Sequence, residues 1–324
     1  MRKTQAVRLI KLFAHSIKKK NFFLLLFFFF FFLPGENFYE KLRIELKKPL
    51  VRGVEIDLSE PPAYPINITE TKAPFLTAKS AVVIDVPSKV VILAKNPNFR
   101  LLPASTTKIM TALIVLENYK LDNVLVVPKL DDLIGRNMEL LGGEKITVEN
   151  LLYGLLVHSA NDAALTLSSR YSGGIDEFIY LMNKKANELG LFNTHFANIS
   201  GIDQANHYST VRDLAHLAVY AMKNPIFSEM VSTSKVTVSD VDKNHWHDLE
   251  NTNELIGEVD GLKGVKTGWT EKAGECLVSY VERNSRKIIT VLLGSRDRFG
   301  ETKKLIDWVF ENYSWQEITP STQN

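Results

Sequence analysis

The chain has 324 residues, 45% of them hydrophobic and 23% charged, which is enough apolar material for one large domain or two smaller ones. Its 39 Lys and Arg nearly balance 37 Asp and Glu, but seven of the bases and none of the acids fall in residues 1–35, leaving 32 bases against 37 acids elsewhere. That distribution argues against a folded nucleic-acid surface, and the single cysteine, Cys276, rules out an intramolecular disulfide.

Residues 1–35 combine the basic cluster with twelve unbroken apolar residues, Phe22 to Leu33. A basic stretch followed by a short apolar run reads as an export signal. As a helix the run is about 18 Å long, against a hydrocarbon core of ~30 Å. No small-x-small pair follows it before Glu36, so the expectation is a retained N-terminal membrane anchor, with a cleaved signal as the alternative. Residues 36–74 are Pro-rich and mixed in charge, and read as a linker that reaches on the order of 130 Å when extended. The folded domain is expected over 75–318, with a short tail at 319–324.

Within that domain, "SAVVIDVPSKVVILAKN" gives two β-rich runs around a Pro-Ser-Lys turn, a hairpin. "PASTTKIMTALIVLENY" then has apolar residues at helical spacing from Ile109 onward, so a buried helix is expected to begin near Ala104. Residues 122–250 read as mainly helical. Strands return in "GECLVSYVE" and "KIITVLLGS", a second hairpin turning at Arg283–Ser285, and an amphipathic helix, "ETKKLIDWVFENY", follows. Strands at both ends of a helical middle predict an α+β domain whose antiparallel sheet is flanked by helices.

Three short stretches carry chemistry. Ser105 and Lys108, three apart in the first turn of a helix, share a face, so the hydroxyl and the amine can meet. Burial or a neighbouring cation lowers a lysine's pKa toward the point where it can take the serine's proton, and the helix N-terminus favours the developing alkoxide. In "HSANDAA", Ser159 and Asn161 stand where one helical run breaks and another begins. In "GVKTGWT", Lys266, Thr267 and Gly268 precede the C-terminal hairpin on what should be an edge strand. Each alone is equally a cap or a turn, and the three in this order are a joint signal.

From about Phe75 to Tyr313 these blocks, with "NELGLFNTHFANISGID", "HYSTVRDLAHLA" and "NTNELI", resemble the penicillin-recognising serine enzymes. Within them the sequence is similar to the D-alanyl-D-alanine carboxypeptidases of serine peptidase family S11, with a β-lactamase/transpeptidase-like fold. The resemblance implies Ser105 as acylated nucleophile and Lys108 as its base. Ser159 and Asn161 would relay protons and hold the substrate amide, and Lys266 and Thr267 would bind the terminal carboxylate. The backbone amides of Ser105 and Trp269 would form the oxyanion hole beside Gly268. Arg298 would be a further carboxylate ligand, with Arg296 as the alternative. It implies catalysis without cofactor or metal, a peptidoglycan stem peptide ending in D-Ala-D-Ala as partner, and β-lactams as covalent inhibitors. Trp269 stands where Tyr or His is usual. The β-rich second domain and C-terminal anchor common in the family are not expected here, the N-terminal run taking the anchor's place.

Three rival readings remain at this level. A class A β-lactamase needs a deacylating glutamate, for which Glu188 is the candidate. A zinc peptidase would draw on His245, His247, His207, Asp242 and Asp248. A catalytically silent wall-binding protein would keep the fold alone. Carboxypeptidase, endopeptidase and transpeptidase activities stay open.

Overall fold

The computed structural model describes residues 62–130 and 133–317. The basic and hydrophobic N-terminal segment, most of the expected linker and the whole of the tail lie outside those residues. Strand β1 (Tyr64–Asn67) lies in the stretch read as linker, ahead of the expected start at Phe75. Four residues containing a proline are too few to show a period, and the partner strand comes from the far end of the fold.

β2 (Ser80–Asp85) and β3 (Val91–Lys95) pair as the expected hairpin. A 3-10 turn, Ala104–Thr107, then runs into α1 (Lys108–Asn118), in which Lys108 to Val115 are all buried. A helix with so little wet surface has to be enclosed by other elements, and α1 is the axis around which the helical part packs.

The middle of the chain is less purely helical than its spacing predicts. β4 (Val124–Val126) and β5 (Lys145–Thr147) make one two-stranded ribbon, followed by α2 (Val148–Leu156), α3 (Asn161–Ser169), α4 (Gly174–Glu188), α5 (Val211–Ala221) and α6 (Pro225–Ser232). A second ribbon pairs β6 (Lys235–Ser239) with β7 (Trp246–Glu250). Side-chain oxygens begin three of the helices: Thr147 accepts from the Asn150 N–H, Thr210 from Asp213, and Asn224 from Ile226 and Phe227 ahead of Pro225.

β8 (Leu262–Thr270), β9 (Gly274–Arg283) and β10 (Arg286–Ser295) complete an antiparallel sheet of order β3-β2-β10-β9-β8. α7 (Arg298–Asn312) begins three residues earlier than its apolar pattern indicates, because Asp297 caps it by accepting the Gly300 N–H at 2.8 Å. β11 (Tyr313–Gln316) then pairs with β1. Period-two alternation splits the sheet's side chains: Val82, Ile84, Val278, Ile289 and Val291 face the helical core, while Ala81, Val83, Leu277, Ile288 and Leu292 face α7. This is the expected α+β architecture, with β8 at an open edge of the sheet.

Candidate functional site

The start of α1 meets the edge strand β8 here. Gly268 makes the approach possible: a Cβ at that position would stand 3.0 Å from both the Ala104 Cβ and the Ser105 nitrogen. The backbone amide of Ser105 therefore lies against β8. A cleft of about 1070 Å³ opens there, lined by Ser105, Ser159, Asn161, Thr267, Trp269 and Arg298 among others. Of the sequence-predicted residues, Lys108 and Lys266 do not line it. Both are buried behind its wall, at 0% and 1% exposure.

Lys108 Nζ lies 3.1 Å from Ser105 Oγ, 2.6 Å from Asn161 Oδ1 and 3.0 Å from the Ser200 carbonyl. Asn161 is oriented by its Nδ2, which donates to the Ile134 carbonyl at 2.7 Å. Two of the three neighbours of the amine are thus acceptors only, and each takes an N–H. When the amine is neutral, its lone pair is left for the Ser105 hydroxyl, which donates to it. Burial lowers the Lys108 pKa from 10.5 to about 7, against the opposing pull of Asp162. The amine is therefore poised to exchange a proton with serine near neutral pH.

Of the two causes open from the sequence, burial or a neighbouring cation, burial is the one that lowers Lys108, and the repulsion between the lysines falls on Lys266. Lys266 is held well below an ordinary lysine by burial first, then by Lys108, Arg298 and Arg136. Its Nζ contacts the Thr267 carbonyl at 3.4 Å, and the Thr267 hydroxyl lies 2.6 Å from that of Thr252. Arg298 opens α7, where its N–H is held by Glu275 Oε2 at 2.7 Å and its Nη1 donates to the Gly268 carbonyl at 3.1 Å. Its Nε is buried without a partner. Arg296 points elsewhere: it is exposed, outside the cleft lining, and its N–H binds Thr77. Ser159 sits at φ +63° just ahead of α3, a left-handed conformation that is strained for a residue with a Cβ.

The residues behind the rival readings lie elsewhere. Glu188 ends α4 and pairs with Lys185 at 3.3 Å, outside the cleft lining. His247 bridges the Met138 carbonyl and Glu144, and Asp248 accepts from Thr237. His207 is engaged with Thr107 and Ala197. Sequence reasoning missed the Ser200 carbonyl, Thr252 and the Ile134 carbonyl that turns Asn161. Backbone acceptors leave no mark on residue identity, although the block "FANISGID" was itself visible.

A lysine amine, rather than an imidazole, stands at the nucleophile, and it is desolvated instead of being oriented by a carboxylate. These features define a serine hydrolase of the Ser-Lys kind, built on an α+β sheet with its nucleophile at the N-terminus of a buried helix. The profile of the D-alanyl-D-alanine carboxypeptidase family matches residues 67–297, and the chain belongs to that family of serine peptidases. It is 36% identical over 256 residues to the D-alanyl-D-alanine carboxypeptidase DacF of Bacillus subtilis (strain 168), covering 76% of this chain and 65% of that protein. It is 36% identical over 242 residues to the D-alanyl-D-alanine carboxypeptidase of Streptomyces sp. (strain K15), covering 68% and 82%. Among solved structures, the Streptomyces K15 DD-transpeptidase superposes with a TM-score of 0.71 at 34% identity, over 74% of this chain and all of that one. Penicillin-binding protein D2 of Listeria monocytogenes, in its cefotaxime-bound form, gives 0.67 at 32%, over 74% of this chain and all of that one. The chain thus spans about two thirds of the Bacillus relative's length.

Proposed function

We propose that this protein is a D-Ala-D-Ala carboxypeptidase that removes the terminal D-alanine from peptidoglycan stem peptides through an acyl-enzyme at Ser105. The observation that carries this reading is the Lys108 amine, fully buried, 3.1 Å from Ser105 Oγ and lowered to about 7. An extended peptide adds to the open edge of β8, where backbone groups not taken by β9 are free to pair with it. Its terminal carboxylate meets the Thr267 hydroxyl and the Arg298 guanidinium at one end of the cleft, and the anion's charge favours protonation of Lys266 just behind the wall.

Ser105 Oγ attacks the carbonyl carbon of the penultimate residue as its proton passes to Lys108. The N–H groups of Ser105 and Trp269 receive the oxyanion, each contributing ~3 kcal/mol to the transition state. The proton held by Lys108 passes through the Ser159 hydroxyl, which accepts one as it gives one up, to the departing amine as the C–N bond breaks; D-alanine leaves and Lys108 is neutral again. Water, activated by the neutral Lys108, then attacks the ester, releases the shortened peptide and restores the serine. Asn161 holds both the amine and the substrate amide. β-Lactams enter the same first step and remain as an ester on Ser105.

The test is covalent labelling by a fluorescent penicillin together with D-alanine release from a D-Ala-D-Ala pentapeptide. Both are expected from the parent protein and neither from Ser105→Ala. Labelling that persists in the variant would overturn the assignment. Adding an amine acceptor to the same assay reads out how much of the acyl-enzyme is resolved by transpeptidation rather than by water.

The same reading extends to placement. Residues 1–35 act as a membrane anchor, 36–74 as a tether that overlaps β1 at its end, and 75–318 as the catalytic domain outside the bacterial cytoplasmic membrane. Its support is the seven cations ahead of the apolar run. Protein that remains in membranes after a high-salt wash, with its N-terminus intact, is the expected result, and a soluble form starting near Glu36 would show cleavage instead. Among the described residues, no helix is long and apolar enough to cross a membrane.

A further inference from the structure

We propose that His207, which touches neither Ser105 nor the cleft, is the positioning residue that keeps Lys108 dry and aimed; the inference rests on the acyl-enzyme reading above. Lys108 owes its orientation in part to the Ser200 carbonyl, and that carbonyl sits on an irregular loop, residues 197–206, with neither helix nor strand hydrogen bonds to hold it. The loop is rigid within itself. Asn198 Oδ1 accepts the N–H groups of Ser200 and Gly201 at 3.2 and 2.7 Å, and its Nδ2 donates to the Ile202 carbonyl at 2.9 Å. What needs explaining is how this unit is fixed to the helix that carries the nucleophile.

Two side-chain hydrogen bonds do so. Thr111 Oγ1 donates to the Ile199 carbonyl at 2.7 Å from within α1. His207 makes the other tie, at the catalytic turn itself. It is 2% exposed, its Nδ1 accepts the Ala197 N–H at 3.0 Å, and its Nε2 lies 2.8 Å from Thr107 Oγ1. Because Nδ1 is the acceptor, the proton resides on Nε2 and is donated to Thr107. A single neutral imidazole thereby joins the beginning of the loop to the residue immediately before Lys108. Gly201 shows how closely the two surfaces meet: a Cβ there would fall 1.9 Å from the Ala104 carbonyl oxygen. With so little clearance, a small shift of the loop turns the Ser200 carbonyl and opens a path for water to Lys108.

The ring has to stay neutral to do this. Burial holds the pKa of His207 down to about 4, with His195 adding to the effect and Asp203 opposing it, and Phe196 packs edge-on against the ring at 6.0 Å. Across the range in which a cell wall enzyme works, Nδ1 remains an acceptor.

Two variants test this. His207→Ala removes both bonds, and Thr107→Val removes one while keeping the volume of the side chain. Penicillin acylation per folded molecule should fall at least about tenfold at pH 7 in His207→Ala and less in Thr107→Val, since small displacements of a catalytic group cost that much or more. The double variant should lose little beyond His207→Ala. The group whose titration reports the effect is Lys108, faced by Asp162 on α3, Lys266 on β8 and the neutral His207 side. Admitted water weakens its desolvation, so the midpoint of the acylation profile, and of the Lys108 Cε resonance in a 13C NMR titration, should move up from about 7 in both variants. Unchanged Lys108 titration, or an acylation loss that equals the loss of folded protein, would overturn the proposal. A parent protein that fails to label at Ser105 would overturn the functional reading instead, and the NMR titration would still decide the role of His207.

Discussion

Replacing Lys108 with methionine should abolish acylation and, near neutral pH, make the protein more stable. The amine is enclosed on all sides, and its pKa falls from 10.5 to about 7. At ~1.4 kcal/mol per unit, keeping that lysine in the fold rather than in the solvated unfolded chain costs about 4 kcal/mol at pH 7. Methionine fills a similar volume without a charge. Against the gain stands the acceptor it strands: the Ser200 carbonyl loses its partner, at about 1–3 kcal/mol. Asn161 Oδ1 loses one too, but Asn161 borders the cleft, where water can replace the amine. The net gain is about 1–3 kcal/mol, or roughly 2–12 °C in Tm for a domain of this size. The sign varies with pH in a defined way. Between pH 7 and 10.5 the unfolded chain holds the proton and the folded protein does not, so parental stability rises with pH through this window and the variant's does not. The advantage of Lys108→Met should be fully present below about pH 7 and gone toward pH 10.5. Denaturant melts of both proteins at pH 6, 8 and 9.5 measure it. A variant less stable than the parent at pH 6, or an advantage that grows with pH, would mean that Lys108 is charged in the fold and is no base.

Two further outcomes follow from the same geometry. Acylation by penicillin should rise with pH through a midpoint near 7, and Asp162→Asn should move that midpoint down, because Asp162 is the charge that raises Lys108; a midpoint that stays put or climbs contradicts this. Arg298→Ala should slow D-alanine release from a free-ended peptide by at least about tenfold more than cleavage of a thioester lacking the carboxylate, and equal losses would reduce Arg298 to a support for the Gly268 carbonyl.

What the sequence reveals of this site is what residue type can encode. Ser105, Lys108, Ser159, Asn161, Lys266 and Thr267 stand out because side chains of rare chemistry recur in order, and the structure gathers them at one cleft or just behind its wall. The choice between Arg298 and Arg296 was not legible, since two arginines two apart differ only in which one the Asp297 cap turns into the first turn of α7. Whether burial or a neighbouring cation lowers Lys108 was also out of reach: enclosure depends on the Ser200 carbonyl and on the loop laid over α1, both matters of backbone position. The same holds for β1, β6 and β7, whose four or five residues are too few to set a period against the helical spacing or proline-rich composition around them.

The β1–β11 ribbon sets Tyr64 opposite Gln316. Strand partners of this kind lie about 5 Å apart, so the two ends of the described fold leave it at one spot. A linker of a few residues would close the fold into a ring, and the chain could be reopened at an exposed turn such as Asn284–Ser285 without disturbing the central sheet. Mechanically, a pull applied across both ends would part the ribbon one hydrogen-bonded pair at a time, as a zipper opens, and the five-stranded sheet and its cleft would bear no load until the ribbon had separated.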